Sequence, residues 1–505
     1  MKTLALILFT LTTSAWCQKT LKPNIVYILA DDLGIGDVSS YNISSKIQTP
    51  NIDKLAKNGV LFTDANTSSS VCTPTRYGIL TGRYNWRSRL KSGVLYGYDK
   101  GLLDPKRPTT GSFLQTQDYK TGVVGKWHLG WDWPNIDAGK EKIDFSKPIL
   151  NSPNAYGFDY SYCIIGSLDM NPYTYVENGV CTAVPKDTCP AESGIRFYRS
   201  GLIAPDFKHE DVLPKFTEKA IGFINQNANK DKPFFLYFPL PAPHTPVLPS
   251  KSFIGKSQVS PYADFVLMVD EVVKQVVETL KANGVYENTL IVFTSDNGFS
   301  PAGDLKAQLD KGHNPFMQFR GTKADIFEGG HRVPFIVSWE KEIKKPKISS
   351  QLICTTDFFA TISELFKKKL EDNTAEDSFS FLNEIIPQKP SYPKREAMVH
   401  HSINGNFAIR KGDWKLIMCS HSGGWSNPKP ESEEAKTLPP IQLYNLKNDI
   451  SETKNMYEKH PEIVKELTAL LTEYVKNGRS TKGKSQTNDG ETYWKQLTWL
   501  PKLNN

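Results

Sequence analysis

Two periodicities alternate along the chain. Residues 24–30 (NIVYILA) form a short apolar, β-branched run of the kind carried by a strand buried on both faces. Residues 234–238 and 289–294 repeat it, and residues 333–339 predict a fourth strand. Between the strands apolar positions recur at helical spacing. The clearest stripe is Tyr262, Phe265, Val266, Val269, Val272, Val273, Val276, Val277 and Leu280, which should end near Gly284. This alternation predicts an α/β domain whose mostly parallel sheet is covered by helices on both faces. From about residue 370 to 395 the chain turns polar and proline-containing, which predicts a boundary. Beyond it, residues 397–401, 406–410, 414–419 and 442–446 predict a small antiparallel sheet, and 461–476 a helix. Residues 422–440 and 477–490 are polar and read as loops.

Length agrees with two domains, because 505 residues exceed what one core fills, about 250–300. We place them at 18–390 and 391–505. Residues 1–17 read as a secretory signal: Lys2, an apolar run from Leu4 to Leu11, then Ala15-Trp16-Cys17 before cleavage at Gln18. The expected location is periplasmic or secreted, with a lipoprotein anchored at Cys17 as the alternative. The run is too short to span a bilayer, and no later one is long enough. A net charge of +7 suits an anionic substrate and excludes a nucleic-acid binder, which would need a basic stripe. Cys181 and Cys189 are spaced closely enough to bridge in an oxidising compartment or to stay free, whereas Cys163, Cys354 and Cys419 read as buried small hydrophobes.

Three of the predicted strands end in polar clusters: Asp31-Asp32, then Ser295-Asp296-Asn297, and Pro243-His244-Thr245. Ligands bind beyond the carboxyl ends of strands in open α/β sheets, so these tails should converge. Asp31, Asp32, Asp296 and Asn297 supply the hard oxygen donors that Ca2+ or Mg2+ prefers. The run Ser70-Val71-Cys72-Thr73-Pro74-Thr75-Arg76 leads into a helix start and would put Cys72 at its N-terminus, where a thiol is activated or merely caps. Neither role explains a cysteine among oxygen ligands.

Cys72-Thr73-Pro74-Thr75-Arg76, followed by Thr81-Gly82, resembles the signature of the formylglycine-dependent sulfatases of the alkaline phosphatase superfamily. Gly125-Lys126-Trp127-His128 resembles their second signature, with Asp118 where a glycine is common before Tyr119. Lys323, ahead of Glu328-Gly329-Gly330 and Arg332-Val333-Pro334, is similar to the third, and Leu443-Tyr444-Asn445-Leu446 to the C-terminal region, with Asn445 where Asp is usual. The resemblance implies a large alkaline-phosphatase-like α/β domain and a small antiparallel C-terminal one. It implies that a formylglycine-generating enzyme oxidises Cys72 to formylglycine (3-oxoalanine), and that Asp31, Asp32, Asp296, Asn297 and modified Cys72 hold one cation, Ca2+ or alternatively Mg2+. Arg76 and Lys126 would hold the hydrate and sulfate oxygens, and Lys323 would neutralise sulfate charge. His244 or Lys323 would protonate the leaving alcohol, and His128 would take the proton that expels sulfate.

A formylglycine-using phosphodiesterase or phosphonate hydrolase is the nearest rival, and a non-catalytic glycan-binding protein a rival of another class. Aromatic and basic residues at 83–91, with Trp131 and Trp133, could form a sugar-stacking rim or belong to helix packing with a solvated basic face. The expected substrate is a sulfated polysaccharide of algal type, such as ulvan or carrageenan, with a glycosaminoglycan as the alternative. His331, His400 and His401 read as structural.

Overall fold

A computed structural model describes residues 22–387 and 393–500. The signal-peptide and Cys17 readings lie outside the described residues. The core strands are β1 (Asn24–Ala30), β2 (Val60–Phe62), β3 (Lys120–Lys126), β4 (Tyr160–Ile164), β5 (Phe234–Pro239), β6 (Thr289–Ser295) and β7 (Phe335–Ser338). They sit in a ten-stranded sheet in the order β2-β7-β6-β1-β5-β3-β4, extended by Lys347–Ser349 at one edge and by Val176–Glu177 and Val180–Cys181 at the other. From β6 through β4 neighbours pair in parallel, while β7 runs antiparallel to β6 and to β2.

Strand pleating divides β1 between two cores. Val26, Ile28 and Ala30 pack with α2 (Val212–Asn227) and α3 (Pro261–Ala282). Ile25, Tyr27 and Leu29 pack with α1 (Cys72–Thr81) and with Phe358 and Ile362 on the opposite face. Helix α3 realises the valine-rich stripe: Ser260 accepts the Ala263 N–H as N-cap, and the chain turns beyond it at Gly284 with φ +68°.

Strands β2, β3 and β4 were not foreseen, β3 because Gly122 and Gly125 interrupt its apolar run. Both glycines are required by close packing. A Cβ at Gly122 would lie 2.6 Å from the Phe223 ring, and one at Gly125 (φ +135°) 1.9 Å from the Pro239 carbonyl oxygen. The preceding Asp118, where a glycine is common, takes φ +71°, a conformation that Asp tolerates better than most residues.

The antiparallel sheet is β8 (Met398–His401), β9 (Phe407–Lys411), β10 (Trp414–Ile417) and β11 (Gln442–Asn445), in sequence order. One face buries Leu467, Leu471 and Tyr474 of α4 (Pro461–Asn477), together with Tyr84 and Trp86, which follow α1 in the chain. On the other face Ala408, Ile417 and Tyr444 meet Ile326 and Phe327 of the large sheet's domain. The Asn445 amide oxygen accepts the Asn448 N–H at 3.3 Å. Residues 433–437 in the expected 422–440 loop form a short helix.

All six described cysteines are free, so the bridging alternative for Cys181 and Cys189 is not realised. The two lie in different sheets, at Val180–Cys181 and Asp187–Cys189. Cys163, Cys354 and Cys419 are buried as expected.

His401 is buried, accepts the Asn85 amide on Nδ1, and is held neutral, its pKa pushed down to about 3 by burial and by Lys91. The unfolded ring titrates near 6.5, so below that pH the unfolded chain binds the proton first. Stability is therefore complete above about pH 6.5 and drains towards pH 3, by about 1.4 kcal/mol per pH unit for this ring alone. Thermal melts from pH 7.5 to 4 should show that fall, and His401→Gln should make it shallower; an unchanged slope would reject the assignment.

Candidate active site

Four adjacent parallel strands deliver the site at their carboxyl ends. Asp31 and Asp32 follow β1, Asp296 and Asn297 follow β6, Lys126 ends β3, and His244 follows β5. The ladder continues into the tails: Asp296 N–H donates to Ala30 O at 3.1 Å, and Asp31 N–H to Ala242 O at 3.0 Å. Cys72 opens α1, which leaves from the same end and stops at Gly82 in the left-handed conformation.

Every carboxylate in the cluster meets a cation. Lys126 Nζ lies 2.7 Å from Asp31, and Lys323 Nζ 2.8 Å from the Asp32 carboxylate. The Arg76 guanidinium donates through Nε and Nη2 to Asp296 Oδ2 at 3.0 and 2.7 Å, and through Nη1 to the Lys126 carbonyl at 3.0 Å. Asn297 Nδ2 donates to Asp32 Oδ1 at 2.7 Å, and His244 Nε2 stands 3.6 Å from Asp32 Oδ2. All these residues are at least nine-tenths buried. Burial raises carboxylate pKa values, but Lys126, His244 and Arg76 hold Asp31 well below its ordinary range. Asp296 is pushed up to about 7 by burial and by the neighbouring Asp31 charge.

Asp31 Oδ1 and the Asn297 side-chain oxygen are buried without a hydrogen-bond partner. Asp31, Asp32 and His244 offer donor atoms within 4.8 Å of one another. Three carboxylates and the Asn297 amide, with two of their oxygens orphaned, fit a hard divalent cation. His244 joins this acidic cluster, where the three strand tails meet as expected, although the sequence reading gave it no place among the metal ligands.

The Cys72 thiol is 2 % exposed. Burial pushes its pKa up, against the pull of Lys126 and Lys323, so the helix terminus does not make it a thiolate. His128 is fixed in one tautomer. Its Nε2 sits 2.9 Å from the Leu95 carbonyl and must donate there, leaving the buried Nδ1 lone pair without a partner. Burial, Lys126 and Arg76 hold the ring neutral by lowering its pKa well below the ordinary value. The Leu95 contribution had no signal in the sequence, because a backbone carbonyl makes it. Asp32 (φ +64°), His128 (φ +55°) and Ala324 (φ +78°) are non-glycine residues with positive φ, and all belong to this site or adjoin it.

Neither the rim nor the solvated basic face describes most of this stretch. Trp131 and Trp133 are buried and pack edge to face, with ring centroids 5.4 Å apart. Arg83 and Arg87 are buried in ion pairs, the first with Glu376 and Asp489, the second with Asp377. Lys91 donates to the carbonyls of Trp86 and Asp489, and only Arg89 of this stretch is exposed. Residues 83–91 therefore join the two sheets through packing and buried charge.

The sulfatase family model matches residues 23–368, and the model of the C-terminal region of aryl-sulfatase matches 393–502. The chain is similar to an N-acetylgalactosamine-6-O-sulfatase of Bacteroides thetaiotaomicron, with 34% identity over 90% of this chain and 93% of that one. It is also similar to human arylsulfatase A, with 30% identity over 93% and 91%. Among solved structures, a chain described under the metabolism of multiple glycosaminoglycans by Bacteroides thetaiotaomicron superposes with a TM-score of 0.77. The two are 34% identical over 90% of this chain and 99% of that one. Ps i-CgsB in complex with k-i-k-neocarrahexaose superposes with a TM-score of 0.68, at 26% identity over 96% and 99%. Matched by family models through its ten-stranded and its four-stranded sheet, the chain belongs to the sulfatase family and is a sulfuric ester hydrolase.

Proposed function

We propose that the chain removes sulfate esters from a glycosaminoglycan or its oligosaccharides, with 6-sulfated N-acetylgalactosamine as the first candidate sugar. The observation that carries the catalytic part is the convergence of buried Lys126, Lys323 and Arg76 with Asp31, Asp32 and Asp296 around Cys72. The sugar assignment draws support from the N-acetylgalactosamine-6-O-sulfatase relative. The neocarrahexaose complex keeps an algal galactan as the second reading.

In this reading Cys72 is converted to formylglycine and the acidic cluster holds Ca2+. A bound cation supplies positive charge where sulfate oxygens gather. A hydrated aldehyde at position 72 supplies an oxygen nucleophile and a second hydroxyl, so sulfate can leave without water attacking sulfur; a thiol offers neither. Lys126 and Lys323 neutralise the charge that spreads over the ester in the transition state. Arg76, committed to Asp296 and the Lys126 carbonyl, positions those groups. His128 takes the proton that expels sulfate, at Nδ1, and His244 with Lys323 forms the pair from which the leaving oxygen draws its proton.

The test is free sulfate released from 6-sulfated chondroitin oligosaccharides, heparan sulfate, carrageenan and ulvan by protein co-expressed with a formylglycine-generating enzyme. Release from the chondroitin arm is expected. Release confined to the algal arms would move the substrate to the second reading. No release, with the aldehyde confirmed at position 72, would favour a phosphodiester. Calcium added to chelator-treated protein should raise the melting temperature, by about 2.7 kcal/mol of stability at about a hundredfold excess over Kd. No shift with Ca2+ or Mg2+ would remove the metal from the reading.

A further inference from the structure

Three aromatic side chains among the described residues are exposed: Tyr96 (52 %), Phe197 (38 %) and Trp425 (45 %). A single exposed ring on a protein surface needs no explanation. Trp425 differs in its position and in how it is held there. Its ring centroid lies 6.0 Å from Lys323 Nζ, the ammonium group that pairs with Asp32.

The loop bearing it belongs to the C-terminal region yet is fastened to the catalytic turn through its backbone. The buried Asp325 carboxylate accepts the N–H groups of Trp425 (2.7 Å) and Ser426 (3.0 Å), together with the Ser426 hydroxyl. Ile326 N–H donates to Ser422 O at 2.7 Å, and Ala324 N–H to Ser70 O at 2.8 Å, two residues before Cys72. Gly424 approaches so closely that a Cβ there would lie 2.4 Å from Ala324 O. The indole is not what docks this loop; the loop is what holds the indole still, in water, beside a catalytic lysine.

The Tyr96 ring lies 5.7 Å from the Arg199 guanidinium carbon. Tyr96 follows Leu95, whose N–H bonds Thr73 Oγ1 at 3.2 Å and whose carbonyl holds His128. Of the exposed rings, it is Trp425 that stands against a group acting on the ester. A pyranose ring presents an apolar C–H face that stacks on an aromatic plane, and a rigid indole loses little entropy in providing one.

We propose that Trp425 is a specificity-determining residue, the stacking face for the sugar that carries the scissile sulfate or for its neighbour. The C-terminal region then takes part in choosing the substrate. This inference rests on the glycan reading above.

Its test is steady-state kinetics of the mature enzyme on a 6-sulfated hexosamine disaccharide. Trp425→Ala should raise KM about tenfold and change kcat less than about threefold, and Trp425→Phe should restore most of the loss. The Asp325 cradle holds backbone groups, so the melting temperature of Trp425→Ala should match that of the parent. A KM within twofold of the parent overturns the proposal. So does an equal loss of kcat in the Ala and Phe variants, which would mean a structural effect passed through Lys323. A parent that cleaves para-nitrophenyl sulfate but no sulfated saccharide would sink the glycan reading itself, and this proposal with it.

Discussion

Cys72→Ala is expected to lower sulfate release by about 10^5-fold or more while the chain still folds. The side chain is 2 % exposed at the first position of α1, facing Lys126 and Lys323. Removing one buried sulfur costs stability of about 1 kcal/mol, small for a domain of this size. The carboxylates and their cations remain, so charge stabilisation of the ester survives and the nucleophile alone is lost. Calcium should still raise the variant's melting temperature, which separates loss of chemistry from loss of fold. Retention of more than about 1% of parental kcat/KM would place the nucleophile elsewhere.

The second large effect is on stability. Lys415 on β10 is fully buried, with its ammonium group 2.9 Å from both Glu328 and Glu452. Glu328 also pairs with Arg332 at 2.5 Å, and Arg410 reaches Asp64 at 2.7 Å. Glu452 in turn accepts the Glu328 N–H at 2.7 Å. Three carboxylates and three cations thus stand where the antiparallel sheet meets the large domain. Lys415→Ala would take the counter-charge from buried Glu452 and leave Glu328 to Arg332, at a cost of about 3–5 kcal/mol. Urea unfolding measures it directly. Glu328 opens the short helix that follows the Lys323 turn, so activity should fall at lower urea than the global transition. A loss below about 1 kcal/mol would mean that water or a proton replaces the lysine.

The strands with uninterrupted apolar runs were legible, and so were the polar tails beyond them, because burial on both faces writes itself directly into composition. Strand β3 was not, since packing against Phe223 and Pro239 demands glycines, and a glycine in a strand reads as a break. The Asp31, Asp296, Arg76 and Lys126 cluster could be anticipated from motifs, but its pairing could not. Nothing local in the sequence says that Arg76 turns to Asp296 or that a carbonyl fixes the His128 tautomer. Residues 83–91 were open between a rim and a solvated helix face, and the burial of their charges was not legible. A mixed aromatic and basic string looks like a surface, and it is buried only because Glu376, Asp377 and Asp489 arrive from far along the chain. Trp425 lay in a stretch read as loop, and its neighbourhood with Lys323 exists only once the two sheets dock.

The burial of Cys72 also fixes an order in time. All ten residues of α1 are buried, and Ser68, Ser69 and Ser70 ahead of it are as deeply covered. No second enzyme can bring its own active site to that sulfur once the sheet has closed over it. Any enzymatic alteration of the side chain belongs to the interval between synthesis and collapse of the chain. A molecule that folds first keeps its thiol for as long as it stays folded.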